Sequence, residues 1–484
     1  LPTGVSIVIV AAATFSIILA NYKFMKIKNL HLRIFALILS TSATLFTSCK
    51  KETPVKPQQN ALTGFNILKS DGTAFDKDDI SISVAADSIS VTVPIFTDVT
   101  NLIPDLKTDA GVSVTPANRV KNNFTQPVTY SITAADGTLK KYKVIVHHDK
   151  LKNVVYVGGG NKNLYALNTN TGTLIWKYTA QGGLEYSSPV LVNGILYIGS
   201  VDHNMYALDP VTGALKWKFT TQSSIMSVPA VANGIVYFGS DDSYVYAVDA
   251  LTGTLKWKYK TGFNADTDPL VKNGVLYMGS GDGKLYALNA LSGNLKWSFN
   301  TGNLLIDWRI LESNGAVFIG GRSGVLYALN ESDGSVKWSA SVGGGNTLER
   351  SKIVINNGVI YITDGAYGSL RAIKESDGSL IWKSLDNLGF WSGPSLANGF
   401  LYVSCNDNNF YIINAATGAV IIKKTLITNG ALAAIADGKI FVAAGGENFF
   451  CALDAVTANT IWKFPLPESI LNSRALVVDK NGNW

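Results

Sequence analysis

From residue 151 to residue 484 the apolar positions return in short blocks with a period near 40 residues. One block is the strand-like run Val155-Tyr156-Val157, repeated as Leu196-Tyr197-Ile198, Val236-Tyr237-Phe238 and five further copies that end at Ile440-Phe441-Val442. A second, Leu164-Tyr165-Ala166-Leu167, follows the first run and has a counterpart in every later unit. The third block is marked by Trp176, Trp217, Trp257, Trp297, Trp338, Trp382 and Trp462, at intervals of 41, 40, 40, 41, 44 and 80. The doubled interval marks one absent tryptophan, with Ile422 in its place. Eight units of short strands are therefore predicted.

Within a unit the pattern is Ala-x-Asp/Asn-x-x-Thr-Gly-x-x-x-Trp, as in Ala166 to Gly172 to Trp176 and Ala207 to Gly213 to Trp217. Thr-Gly allows a tight turn with positive φ between two strands. The small Ala leaves room, and the Trp supplies a large flat surface to fill it. A bulky ring at fixed phase in unit after unit suits sheets stacked around an axis, each burying the next. The predicted class is all-β, an eight-bladed β-propeller over 151–484. The first unit starts at its second strand, Val154 to Gly158, while Ser473 to Val478 matches the first strand of later units such as Ser188 to Val192. The C-terminal strand is thus predicted to complete blade one and close the ring, which removes its edges. Lys374 in place of Asp/Asn, Ala458 in place of Gly and Ile422 in place of Trp mark blades six to eight as looser or specialised.

Residues 61–148 read as a separate small β-sandwich. Ile89, Val91 and Val93 alternate with polar residues, as do the stretches Val128 to Ile132 and Tyr142 to Val146, with the hairpin signal Asp136-Gly137 between the last two. Val112 to Val146 resembles the immunoglobulin-like modules that follow lipoprotein anchors, and two readings stay open: a spacer lifting the next domain off a membrane, or a ligand-binding sandwich. Upstream, Lys26, Lys28 and Arg33 precede the apolar stretch Ile34 to Phe46, then Thr47, Ser48 and Cys49. Segment 25–48 resembles a lipoprotein signal peptide, which implies cleavage before Cys49 and its acylation. Residues 49–60 form the lipidated start and a polar tether. Residues 1–24, with a second apolar run from Val5 to Ala20, are read as an extension upstream of the true start at Met25.

Charge adds little to this frame. The net charge is +6, but Lys23, Lys26, Lys28 and Arg33 lie in the first 48 residues with no acid, which leaves 37 of the 41 basic residues against 35 acids. A near-neutral body carries no electrostatic footprint for nucleic acid. Three cysteines with no CxxC pair and four scattered histidines give neither a disulfide framework nor metal-ligand spacing. Asp479-Lys480-Asn481-Gly482 is only a fragment of a calcium loop. No nucleophilic triad order or phosphate-binding glycine loop is present.

The loops entering each inner strand vary while the blades repeat, so function is expected there. They carry Glu185, Tyr186, Asp266, Asp268, Asp307, Trp308, Arg309, Glu349, Arg350, Trp391 and Arg474. Trp308 and Trp391 fall off the docking period. Two readings stay open: an aromatic and ionic lining for a ligand, peptide or protein edge, or loop packing with surface pairs such as Asp307 with Arg309.

Over residues 153–484 the repeat resembles the tryptophan-docking motif of the quinoprotein-like β-propellers. The resemblance implies that each Trp packs between the Ala and Gly of a neighbouring blade. Dehydrogenases of that group use pyrroloquinoline quinone, a Ca²⁺-liganding Glu/Asn/Asp set, a catalytic Asp and often adjacent cysteines. Cys405 and Cys451 are in separate blades, at positions held elsewhere by Ser200 and Tyr165, and the long cofactor-covering insertions are missing. Anchor, eight blades and docking together resemble the lipoprotein propellers of the outer-membrane barrel-assembly machinery. That resemblance implies a non-enzymatic, monomeric scaffold without cofactor, lipid-anchored at the outer membrane and facing the periplasm or cell surface. Its partners would be outer-membrane or periplasmic proteins, or glycans at the surface. The inserted sandwich departs from that group. The contrasting expectation is a quinone-dependent oxidoreductase.

Overall fold

The computed structural model describes residues 62–484 except 76, 78–79, 304, 306–308, 344–352, 366–367, 391, 427–431, 445–447 and 467–473. The predicted signal segment, Cys49 and the tether lie outside the described residues.

The N-terminal part holds β1 (Leu62–Leu68), β2 (Ser81–Val84), β3 (Ser88–Val93), β4 (Ile103–Thr108), β5 (Ser113–Thr115), β6 (Val128–Thr133) and β7 (Leu139–His148). They form a five-stranded sheet in the order β2-β3-β7-β6-β5 and a two-stranded sheet β1-β4. The alternating residues meet in one core: Ile89, Val91, Val93, Tyr130, Ile132 and Val144 are fully buried there. The β6-β7 hairpin turns on Asp136-Gly137 as predicted, with Gly137 at φ 84° and Asp136 Oδ1 accepting the Thr138 N–H. The parallel pairing of β3 with β7, Ile89 opposite Val144, is not visible in local alternation. Such a pair needs a long crossover, here filled by β4 to β6.

Eight four-stranded antiparallel sheets follow. Blade two shows the plan: an inner strand Val190–Val192, then Ile195–Gly199, Asn204–Leu208 and an outer strand Leu215–Thr220. All residues of Ile195–Gly199 and Asn204–Leu208 are buried, because neighbouring blades cover both faces. The outer strand alternates, with Trp217 inward and Lys216 and Lys218 in solvent. Lysines along an exposed edge discourage pairing with another chain. In blades two to eight the first hairpin turns on Asn-Gly or Asp-Gly, from Asn193-Gly194 to Asp437-Gly438, with both residues at positive φ. That twist matches the strands on either side.

The seven tryptophans join each blade to the next. Gly213 of blade two faces Trp176 of blade one, Gly253 faces Trp217, and so on to Gly172 of blade one, which faces Trp462 of blade eight. A Cβ on Gly213 would sit 2.7 Å from the Trp176 ring, so the position needs glycine for space as well as for its φ of 73°. Each indole N–H also donates to a carbonyl of the next blade, from Trp176 to Pro210 O (3.0 Å) round to Trp462 to Thr169 O (3.0 Å). The alanine of the motif stands elsewhere than the resemblance implied. Ala207 is the cross-strand partner of Trp217 within its own blade. Of the two small residues in the motif, the glycine facing the ring is the one that comes from the neighbour.

Ile422 and Ala458, two separate departures in the sequence, are the two sides of one seam. Ala458 occupies the glycine position of blade eight at φ 56° and is fully buried, with Ile422 of blade seven packed in the same cluster. A missing indole leaves room for the methyl group.

The ring closes as predicted. Leu476, Val477 and Val478 pair with Tyr156, Val155 and Val154, so the C-terminal strand is the inner strand of blade one. Asp149 N–H donates to Val93 O (2.7 Å), and Phe96 and Leu151 pack on the blade-one core, joining β3 and the segment after it to the propeller.

Candidate binding site at the mouth of the channel

The inner strands surround a cavity of about 660 Å³ along the axis. Each inner strand runs away from one face, the mouth, where it is entered by the variable loop and flanked by the hairpin between second and third strands. Buried hydroxyls hold these loops. Ser187 Oγ donates to Ser227 O (3.0 Å) and accepts from Gly199 N–H (3.1 Å), while Thr267 Oγ1 bridges the N–H and carbonyl of Gly279 (2.8 and 3.2 Å). Carboxylates in the hairpins clamp the loops from the side. Asp202 Oδ2 accepts the N–H groups of Gln181 and Gly182 (2.9 Å each) and the Tyr206 hydroxyl (2.8 Å). Burial pushes the Asp202 carboxyl up, but hydrogen bonds from Asn204, Tyr206 and the two amides outweigh it and hold it below the usual range. Asp242 and Asp282 repeat the arrangement with Tyr246 and Tyr286.

One level of this mouth is set by the residue two places before each inner strand. In six blades Ser188, Val228, Asp268, Arg309, Leu432 and Arg474 stand there and line the cavity, whereas Gly393 does not line it and Lys352 lies outside the described residues. Asp268 Oδ1 accepts the Val228 N–H (3.1 Å), and Asp268 and Arg309 form a parallel backbone bridge. Arg474 N–H donates to Ser188 Oγ (2.9 Å). Burial, and secondarily the nearby Arg309 charge, pull the Arg474 guanidinium down to about 10, so it remains charged at neutral pH. Below this level Val190, Leu270, Leu311 and Leu476 make the wall apolar, and Asp479, Asn483 and Trp484 line the opposite end.

The structure therefore brings three of the predicted loop residues together: Asp268, Arg309 and Arg474. Glu185, Tyr186 and Asp266 do not line the cavity. The Glu185 carboxylate folds back over Gly183, where a Cβ would overlap it, and Asp266 is buried with Oδ2 accepting from Asn264 Nδ2 (2.8 Å). Asp307, Trp308, Glu349, Arg350 and Trp391 lie outside the described residues, and with Asp307 so does its expected pair with Arg309. Ser188, Val228 and Leu432 were missed, although counting back two residues from each inner strand finds them.

Among the described residues no group of three or more His, Cys, Asp or Glu is placed to hold a metal ion. Cys405 and Cys451 are buried and not joined in a disulfide, and burial pushes the Cys405 thiol up to about 12.

An eight-bladed, tryptophan-docked propeller with an axial cavity is the class that these features define. The chain belongs to the family described as outer membrane protein assembly factor BamB, whose model matches residues 160–304, 307–389 and 366–481. A second family model, described as SGBP, N-terminal, matches residues 72–146. Among solved structures the chain is similar to BamB from Moraxella catarrhalis, with 16% identity, a TM-score of 0.51, and 64% of this chain and 90% of that one covered. It is similar to the computationally designed Ika8 protein, with 14% identity, a TM-score of 0.51 and coverages of 59% and 88%. It is also similar to the quinohemoprotein alcohol dehydrogenase from Comamonas testosteroni, with 15% identity, a TM-score of 0.51 and coverages of 66% and 74%. Likenesses at these identities show the fold alone. No curated protein matches the chain.

Proposed function

We propose that the protein is a non-catalytic binding propeller of the cell envelope, lipid-anchored through Cys49 at the outer membrane, that holds outer-membrane or periplasmic proteins during outer-membrane protein assembly. The observation that carries this reading is the division of the chain into a constant frame and a varied mouth. Docking glycines, indole hydrogen bonds and Asn-Gly hairpins recur from blade to blade, whereas the loops before the inner strands change in every unit. A rigid ring that presents irregular loops on one face suits recognition. The family membership supports the same role, and the segment before the propeller acts as its spacer.

In this reading the protein works without pyrroloquinoline quinone or Ca²⁺. Titrating the full chain with the quinone, with and without Ca²⁺, and following tryptophan fluorescence is expected to show no Ca²⁺-dependent quenching at micromolar quinone. Saturable, Ca²⁺-dependent quenching would instead make the chain a quinone-dependent oxidoreductase.

A further inference from the structure

Around the mouth the half-buried carboxylates and buried hydroxyls of blades two to four hold loops. The guanidinium groups of Arg309 and Arg474 are different. Among the described residues no carboxylate lies within ion-pair distance of either one. They come from blade five and blade one, which stand opposite each other in a ring of eight, and both line the same cavity. After burial, the like charge of Arg309 is the second cause that lowers the Arg474 guanidinium. Among the described lining residues the acids are Asp268, one oxygen of which accepts the Val228 N–H, and Asp479 at the far end of the cavity.

Two like charges that face one cavity raise the energy of the empty protein to the extent that partial burial weakens their hydration, and no described carboxylate pairs with either one. An anion between them reverses that sign. A guanidinium offers a planar fork of N–H donors that matches a carboxylate in two parallel hydrogen bonds. The apolar wall below, Val190, Leu270, Leu311 and Leu476, offers nothing to a purely inorganic ion but suits a hydrocarbon body. The volume of about 660 Å³ is that of a small-molecule site.

We propose that the channel mouth is a binding site for a small organic carboxylate, with its carboxylate held between Arg309 and Arg474 and its apolar body lying among the inner strands. This goes beyond the scaffold role and does not rest on it, since the site is formed within the ring.

Benzoate and its neutral isostere benzamide test the assignment by calorimetric titration of the full chain. Benzoate is expected to bind saturably at one site per chain, with benzamide at least about tenfold weaker. Arg474→Gln and Arg309→Gln should each weaken benzoate by about tenfold or more and leave benzamide unchanged. Neither should lower the thermal midpoint, because each removes one of two repelling charges. If Arg474→Gln fails to fold, Arg309→Gln carries the comparison. Equal affinity for the two probes, unchanged benzoate affinity in a folded variant, or no saturable benzoate binding would each overturn the proposal.

Discussion

A chain ending before Ala475 is expected to melt on the order of 10 °C lower than the full chain, and less cooperatively. The strand it loses supplies the inner edge of blade one, with Leu476 to Val478 paired to Tyr156 to Val154. Ala475 and Val478 are buried, and every residue of Val154–Gly158 is covered in the closed ring. Losing the buried side chains, three paired residues and the cover over the exposed strand removes about 5 kcal/mol or more. That is comparable to the whole stability of many domains, about 5–15 kcal/mol. The open ring would also present an unpaired strand edge and bring aggregation with it. Circular dichroism melting with limited proteolysis reads both effects. Val478→Asp, which places an unpaired charge at a fully buried position, should reproduce most of the loss without shortening the chain. An unchanged melt in both variants would mean that the ring is closed by something other than this strand.

The second large effect lies at the docking seams. Gly418→Ala forces a Cβ to within 2.6 Å of the Trp382 ring at φ 74°. The left-handed backbone costs about 1–2 kcal/mol with a Cβ, and overpacking against a ring held on all sides adds about 1–3 kcal/mol. A loss of about 3 kcal/mol in urea unfolding is expected. Ala458→Gly changes the same position of the next blade in the opposite direction, where the repeat puts Ile422 in place of the tryptophan and both residues pack in one cluster. There the relief of backbone strain and the loss of a buried methyl nearly cancel, and a change within about 1 kcal/mol is expected. Trp217→Ala, which empties a seam and leaves the Ala250 carbonyl without its indole donor, should cost about 3–5 kcal/mol. Equal costs for Gly418→Ala and Ala458→Gly would contradict the reading that Ile422 and Ala458 compensate for each other at one seam.

Most of the frame was legible because each blade repeats its own instructions. The tryptophan spacing gave the blade count, Thr-Gly gave the outer turns, and the match of Ser473 to Val478 with Ser188 to Val192 gave the closure. What stayed hidden depends on pairings between distant residues. Alternation in β3 and β7 says that both are strands, but not that they run parallel beside each other. The motif names an Ala and a Gly, but only the ring assigns the first to the tryptophan's own blade and the second to the next. Likewise, Ile422 and Ala458 are 36 positions apart, and neither substitution predicts the other until the two blades are seen in contact.

The site was legible only in part for the same reason. Charge and aromatic character flagged Glu185, Asp266, Asp268, Arg309 and Arg474 alike, yet two of these turn into loop structure and three into the cavity. Their distance from the inner strand decides it. In six blades the residue two places before that strand reaches the channel, while Asp266, two residues earlier than Asp268, is engaged by its own loop.

The central claim, a binding propeller of the envelope, is tested most directly by native capture from detergent-solubilised membranes, with a tag after Trp484 and Cys49→Ala as control. The account predicts stoichiometric recovery of an outer-membrane barrel protein or its assembly partners with the wild-type chain, and loss of both membrane association and partners with Cys49→Ala. Recovery of the propeller alone from membranes in which it is abundant and folded would contradict it.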